Sequence, residues 1–199
     1  MKRLKKGYSQ ADYRRLYSHK HSSSKFVDHQ LRVATTRSII DWLVERHDIK
    51  TIGDMSVGDG QIHFAQMLKS VKPVKLYLGD YNEESDGLEF AHEKYVGDIY
   101  ETIKKMPDVD LYVCSETIEH VEYPLVLLRL IRKKAKMLVL TTPEDETEET
   151  NNPEHLWSWS EHDMKNMLLE AGFTPKLYNG LDFRLENGFP YKFQMWVAE

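Results

Sequence analysis

In the run from Cys114 to Val121, CSETIEHV, three side chains are of a type and spacing that suits cation binding: Glu116, Glu119 and His120, at i, i+3 and i+4. On one helical turn that spacing puts two carboxylates and an imidazole on a common face. Such a set suits a divalent ion such as Mg2+, Mn2+ or Fe2+. His155, after the loop that follows the next strand-like run, is the candidate fourth ligand. A cation held there lowers the pKa of a hydroxyl and orients it, and a vicinal diol chelates through both oxygens. Two other roles fit the same residues. His120, with Glu119 beside it, serves as a metal-free general base, or the pair only orders a loop.

A second constellation occupies Thr51 to Leu68, TIGDMSVGDGQIHFAQML. A short apolar run ends on Asp54, and a small-residue turn follows from Ser56 to Gly60. Ile62, Phe64, Ala65 and Leu68 then recur at helical spacing. Strand, glycine turn and helix make the first half of a nucleotide-binding βαβ unit. Glycine at 58 and 60 is expected where a ligand approaches the backbone, with a helix N-terminus aimed at the turn. Asp54, Asp80 and Asp98 fall at the ends of three successive strand-like runs, where open α/β sheets bind ligands. Asp80 is placed to accept both ribose hydroxyls of a nucleoside, and Asp98 to reach the exocyclic amine of an adenine. Taken singly, each is also a turn former or a helix cap. A nicotinamide dinucleotide is disfavoured, because its fingerprint wants a small residue at the position held by His63. His63 and His162 read as structural or surface residues.

The elements that must position these groups follow from periodicity. Helices are expected from Gln10 to Tyr17 and from Phe26 to Arg46, the second with Leu31, Ile39, Ile40, Leu43 and Val44 as its apolar positions. From Thr51 onward strand-like and helix-like runs alternate. Strands are expected at 74–80, 95–96, 109–114 and 137–141, and helices at 84–94, 99–106, 125–135 and 160–171, with a loop over 142–156. Ser160 with Asp163 approximates a capping box, and Gly172 supplies the stop. Two late strands, near 173–178 and 191–198, have only a turn-rich segment between them and should form an antiparallel hairpin at the sheet edge. The expected fold class is α/β, a Rossmann-like, mostly parallel seven-stranded sheet with helices on both faces. Residues 1–48 read as an N-terminal helical cap or substrate arm and 49–199 as a cofactor-binding domain, in one compact domain overall.

A chain of 199 residues suits one domain. Hydrophobic content of 41% and charged content of 30% are those of an ordinary soluble protein. No apolar run reaches the roughly 18 residues of a membrane span, and MKRLKKGYSQ lacks the apolar core of a secretory signal. One cysteine, Cys114, leaves no internal disulfide and fits a reducing compartment, so a cytoplasmic location is expected. Net charge is −5, yet residues 1–25 carry Lys2, Arg3, Lys5, Lys6, Arg14, Arg15, Lys20 and Lys25 against Asp12 alone. That arm reads as a solvated terminus or as a flap for an anionic substrate.

Thr51 to Gly60, followed by LYLGDYN, VGDIYETI, VDLYVCSETIEHVEYPLVLLRLIRK, KMLVLTTPE and HLWSWSEHDMKNMLLEAGF, resembles the class I S-adenosylmethionine-dependent methyltransferases over about residues 51–173. The resemblance implies a cofactor site: Asp54, Ser56, Gly58 and Gly60 near the methionine moiety, Asp80 on the ribose, and Asp98 and Ile99 near the adenine. Tyr81 would pack against the adenine, and Ser115 would line the pocket by its backbone. Ser56 stands where the family has its first motif glycine. The E-x-x-E-H run with a later His is similar to two metal-dependent O-methyltransferase groups, the small-RNA 3′-end 2′-O-methyltransferases and the ubiquinone-pathway enzymes. Both act on substrates with adjacent oxygens. The sulfonium methyl is already activated, so such an enzyme mainly aligns and deprotonates its acceptor.

The expected acceptor is a hydroxyl of a small molecule (a sugar, a nucleotide or a catechol-like diol), with the 3′ end of an RNA as the alternative. The rival from another class is a cofactor-binding sensor or partner subunit that methylates nothing. Glu144, Asp145, Glu146, Glu148, Glu149 and Glu154 in one loop argue against a long RNA, and the basic arm argues for it. Trp157, Trp159 and Tyr123 are candidates to stack on a ring.

Overall fold

A computed structural model describes residues 1–17, 27–63, 74–147, 152–183 and 192–199. Strand β1 (Lys2–Arg3), helix α1 (Gln10–Leu16) and helix α2 (Val27–Arg46) lead into β2 (Thr51–Asp54), β3 (Lys75–Asp80) and β4 (Glu93–Val96). Next come α3 (Ile99–Lys105), β5 (Val109–Ser115), α4 (Pro124–Lys134), β6 (Ala135–Glu144) and β7 (Trp157–Ser158). Helix α5 (Glu161–Glu170) and strands β8 (Pro175–Asp182) and β9 (Lys192–Ala198) complete the order. One sheet of seven strands runs β4-β3-β2-β5-β6-β9-β8. The first five are parallel, and β9 lies antiparallel between β6 and β8. The sheet and its antiparallel edge hairpin are those the alternation predicts. Among the described residues, no helix is long and apolar enough to cross a membrane.

The centre of the sheet is dry on both faces, as parallel strands with helical cover require. Alternate residues of β5 serve opposite cores. Leu111 and Val113 pack with Ile40, Leu43 and Val44 of α2, whereas Tyr112 and Cys114 pack with Leu128 and Ile131 of α4 and Leu168 of α5. Ser160 caps α5 in the expected box with Asp163, and Ser9 forms a second box with Asp12 at the start of α1.

Several boundaries differ from the sequence expectation. The polar helix expected over 84–94 is a five-residue 3-10 turn, Asp86–Phe90, that runs almost directly into β4. Gly87 sits against the glycine turn here, so close that a Cβ on Gly60 would stand 2.6 Å from Gly87 Cα. Gly60 is therefore glycine because two backbones meet, not because a ligand approaches it. Gly58 differs again. Its φ of +54° favours glycine, and a Cβ there would meet nothing within 4 Å. The helix expected after the turn falls mostly on residues 64–73, outside the described residues. Strand β6 continues to Glu144 because β9 pairs with Thr142, Pro143 and Glu144 after β5 has stopped at Ser115. Leu31, expected to be buried, is 48% exposed.

Asp110 fixes where β2 begins. Its Oδ2 accepts from Lys50 N at 3.0 Å, Thr51 N at 3.1 Å and Thr51 Oγ1 at 3.0 Å, and Oδ1 from Lys136 Nζ at 2.8 Å. Burial alone would push this carboxyl up, but Lys136 and the donors of Lys50 and Thr51 hold it down at about 2. Asp110→Ala should cost about 1–3 kcal/mol in urea unfolding at neutral pH. Its folded pKa lies below the ordinary 3.8, so the contribution is complete above that value and disappears as pH falls toward 2. Wild type and variant should converge in stability across that window.

Candidate active site

A cavity of about 950 Å³ lies along the carboxyl ends of the parallel strands. Of the residues expected at a cofactor, Asp54, Ser56, Gly58, Asp80, Tyr81, Asp98, Ile99 and Ser115 line it, and Gly60 does not. Asp54 is buried and fully engaged. Its Oδ1 accepts from Ser56 N at 2.9 Å, and Oδ2 meets His63 Nε2 at 2.8 Å. Ser56 explains its own departure from glycine, since its hydroxyl bonds Thr117 Oγ1 at 2.6 Å and ties the β2 turn to the segment after β5. Asp80 accepts Gly58 N and Asn82 N, each at 2.9 Å, while burial raises its pKa. Asp98 caps α3 by accepting Tyr100 N at 2.9 Å, so the cap and the cavity wall are one carboxylate.

The reacting end is shaped by a kink. Glu116 has φ +50°, so it does not continue as a helical turn. The 3-10 turn Ile118–His120 starts beyond it. The common face expected for Glu116, Glu119 and His120 is therefore not formed. Glu116 instead accepts from Thr141 Oγ1 at 3.0 Å and faces Arg32 Nε at 3.8 Å. Glu119, His120 and His155 do converge, with one ligand atom from each inside 4.8 Å of the others.

Glu119 is 0% exposed. Its Oε2 accepts from Thr142 Oγ1 at 2.9 Å, and its Oε1 has no hydrogen-bond partner among the described residues. Burial, aided by the nearby Glu116, pushes this carboxyl well above the ordinary range. His120 Nδ1 lies 3.2 Å from Glu154 O. A carbonyl only accepts, so this nitrogen carries the proton and Nε2 faces Glu119 Oε1 at 3.9 Å. The His120 and His155 rings stand 4.7 Å apart at 80°.

Several neighbours carry no signal in the sequence pattern. Glu146 meets His155 Nδ1 with both carboxylate oxygens, at 2.8 and 2.7 Å. Burial pushes the Glu146 carboxyl up and the His155 imidazole down, each away from its charged form. Tyr8, Tyr13 and Tyr17 from the N-terminal arm line the cavity, and Tyr13 Oη donates to His120 O at 2.8 Å. The indoles behave differently from expectation. Trp159 is 1% exposed core, and Trp157 Nε1 donates to Val121 O at 2.9 Å beneath the Arg3 guanidinium. Neither lines the cavity, whereas Tyr123 does.

No family model matches the chain. A small RNA 2′-O-methyltransferase of Mus musculus is 26% identical over 160 residues, covering 65% of this chain and 40% of that protein. This chain thus spans less than half the length of that relative. Magnesium protoporphyrin IX methyltransferase of Synechocystis, solved with S-adenosylhomocysteine, superposes with a TM-score of 0.66 at 15% identity over 94% of this chain and 92% of its own. The fold is that of the class I methyltransferases. A small RNA methyltransferase structure superposes with a TM-score of 0.65 at 18% identity, over 92% of this chain and 27% of that one. A [4+2]-cyclase shares the architecture at a TM-score of 0.63 and 12% identity, over 82% of this chain and 80% of its own. This fold therefore does not dictate the reaction.

Glu119, His120 and His155 are the group that could hold a divalent cation. One buried carboxylate oxygen lacks a partner, and both imidazoles use Nδ1 on outer acceptors, so their other ring edges turn inward. A carboxylate behind a ligating histidine fixes its tautomer and orientation. Glu146→Gln is expected to weaken Mn2+ binding by about 10–100-fold in calorimetric titration while S-adenosylhomocysteine affinity is unchanged. Unchanged Mn2+ affinity would show that Glu146 has no part in ordering the site.

Proposed function

We propose that the protein is an S-adenosylmethionine-dependent O-methyltransferase that acts on one hydroxyl of a vicinal diol, the 3′-terminal ribose of an RNA being the acceptor. The observation that carries this reading is the buried group of Glu119, His120 and His155 beside the long cavity at the strand ends. The relative named for small RNA 2′-O-methylation supports the acceptor. So does the state of the acidic loop. Glu144 is taken up by Lys192 and Tyr178, and Glu146 is buried behind His155, so these two carboxylates do not face an approaching phosphate. A small hydroxylated metabolite is the second reading, favoured by the three arm tyrosines that narrow the cavity.

In this account Asp80 holds the cofactor ribose, Tyr81, Asp98 and Ile99 hold the adenine, and the Asp54–Gly58 turn with Ser115 holds the methionine end. Residues 1–48 act as a cap on the acceptor side and 49–199 as the cofactor domain. A divalent ion on Glu119, His120 and His155 would supply Lewis-acid activation of the acceptor hydroxyl, with Glu116 outside the group, on Thr141 and Arg32. Glu119 Oε1 has no competing donor, and a bound cation would keep the carboxyl ionised against the burial that raises its pKa. Tyr13 fixes the His120 backbone, and Glu154 O and Glu146 set the two ring orientations. Holding both reactants in one cavity removes the translational freedom that a bimolecular transfer must otherwise lose.

Methyl transfer from labelled S-adenosylmethionine to a short RNA with a free 2′,3′-diol should require Mn2+ or Mg2+. It should vanish when the end is periodate-oxidised or 2′-deoxy. Glu119→Ala is expected to lower turnover by at least roughly 10²-fold with cofactor affinity intact. Transfer that survives both chelation and Glu119→Ala would overturn the reading. Cofactor binding with no transfer to RNA or to any small diol would favour a non-catalytic binding protein.

A further inference from the structure

In its first half helix α2 buries a polar stripe beside Val33. It exposes Val27 at 53% and Leu31 at 48%, yet buries Asp28, Arg32 and Thr36 at i, i+4 and i+8. A helix that exposes apolar residues and buries a polar stripe has been shaped by something other than core formation. Arg32 is 4% exposed and lines the cavity at the end that also contains His29, Glu116, Pro143 and Phe193.

The hydrogen bonding of Arg32 is incomplete. A guanidinium carries five N–H donors. Nη1 donates to Ser115 Oγ at 2.7 Å and reaches Thr141 Oγ1 at 3.5 Å, while buried Nε has no hydrogen-bond partner among the described residues. Glu116 Oε1, at 3.8 Å, balances charge but is too far to accept a hydrogen bond. Elsewhere in this chain a guanidinium is matched properly, since Arg3 Nη2 meets both carboxylate oxygens of Glu122 at 2.7 Å. The guanidinium of Arg32 lies 5.7 Å from the Phe193 ring, and the His29 ring packs on the same phenyl at 5.4 Å. A dehydrated cation with an unused donor at a cavity wall favours an oxyanion of matching fork geometry.

We infer that Arg32 forms an oxyanion subsite for the phosphate that joins the acceptor's terminal nucleotide to the rest of the chain. This rests on the proposed methylation of a ribose diol and adds what the acceptor must carry beyond the diol. His29 flanks the subsite, and Phe193 forms its apolar floor. Ser115 and Thr141 hold Nη1, so the guanidinium plane is set before the substrate arrives, which lowers the ordering cost on binding.

Calorimetric titration of protein loaded with S-adenosylhomocysteine and Mn2+ tests this with two probes that share the diol, adenosine and adenosine 5′-monophosphate. Wild type should bind the monophosphate about 10-fold or more tightly than adenosine. Arg32→Gln should abolish that ratio and Arg32→Lys keep part of it. Both variants should bind S-adenosylhomocysteine as wild type does, which also reports that the fold is intact. Metal-dependent binding of adenosine with no preference for the monophosphate would overturn the subsite and leave the O-methylation reading standing. Binding of neither probe, with or without Mn2+, would remove the diol reading and the subsite with it. A loss of S-adenosylhomocysteine affinity in Arg32→Gln that Arg32→Lys restores would assign the guanidinium to the cofactor carboxylate and overturn the acceptor role.

Discussion

Burial of β5 and β6 on both faces is the constraint from which the rest follows. Residues 111–114 and 137–143 leave almost no surface to water, so these strands display polar groups only where they end. Several of the polar side chains described above sit at or next to a strand end. Asp54 closes β2, Asp80 closes β3, Ser115 closes β5, and Thr141 and Thr142 lie near the end of β6. The sheet thereby gathers carboxylates and hydroxyls from four strands along one edge, which is where open α/β sheets bind ligands.

That gathering is electrostatically expensive. Glu116, Glu119 and Glu146 are all shifted upward, with burial as the leading cause in each. Three dehydrated carboxyls close together oppose folding unless something positive is supplied. Arg32 supplies part of it from α2, at the distance of 3.8 Å already noted. The imidazoles of His120 and His155 supply acceptors and donors. The rest is met by protonation of the raised carboxyls or, in the proposed function, by a divalent cation at the Glu119 Oε1 that has no hydrogen-bond partner among the described residues.

The sheet was readable from the sequence because alternation of apolar runs with helical patterns is a property of whole segments. Glu119 and His120 converge with His155 although the helical face that singled them out is not formed, and Asp80 and Asp98 line the cavity from the strand ends where the pattern places them. Glu116 was misplaced because a non-glycine residue with φ +50° leaves no local mark. Gly60 was assigned the wrong cause, since its close neighbour Gly87 is remote in sequence. Arg32 and Glu146 were invisible for a related reason. A buried Arg in a helix reads as an exposed one, and a Glu in an acidic loop reads as solvated, until the fold brings Glu116 and His155 beside them. The two-residue pairing of β1 with β7 likewise depends on contacts between Arg3 and Trp157 that no local pattern encodes.

Mn2+ binding to chelator-treated protein, followed by electron paramagnetic resonance, tests the central claim most directly because it needs neither acceptor nor turnover. One bound ion per chain, lost in His155→Ala but retained in His162→Ala, is the result this account predicts. Absence of a bound ion in the wild-type protein, with or without S-adenosylhomocysteine, would contradict it and leave His120 as a metal-free base.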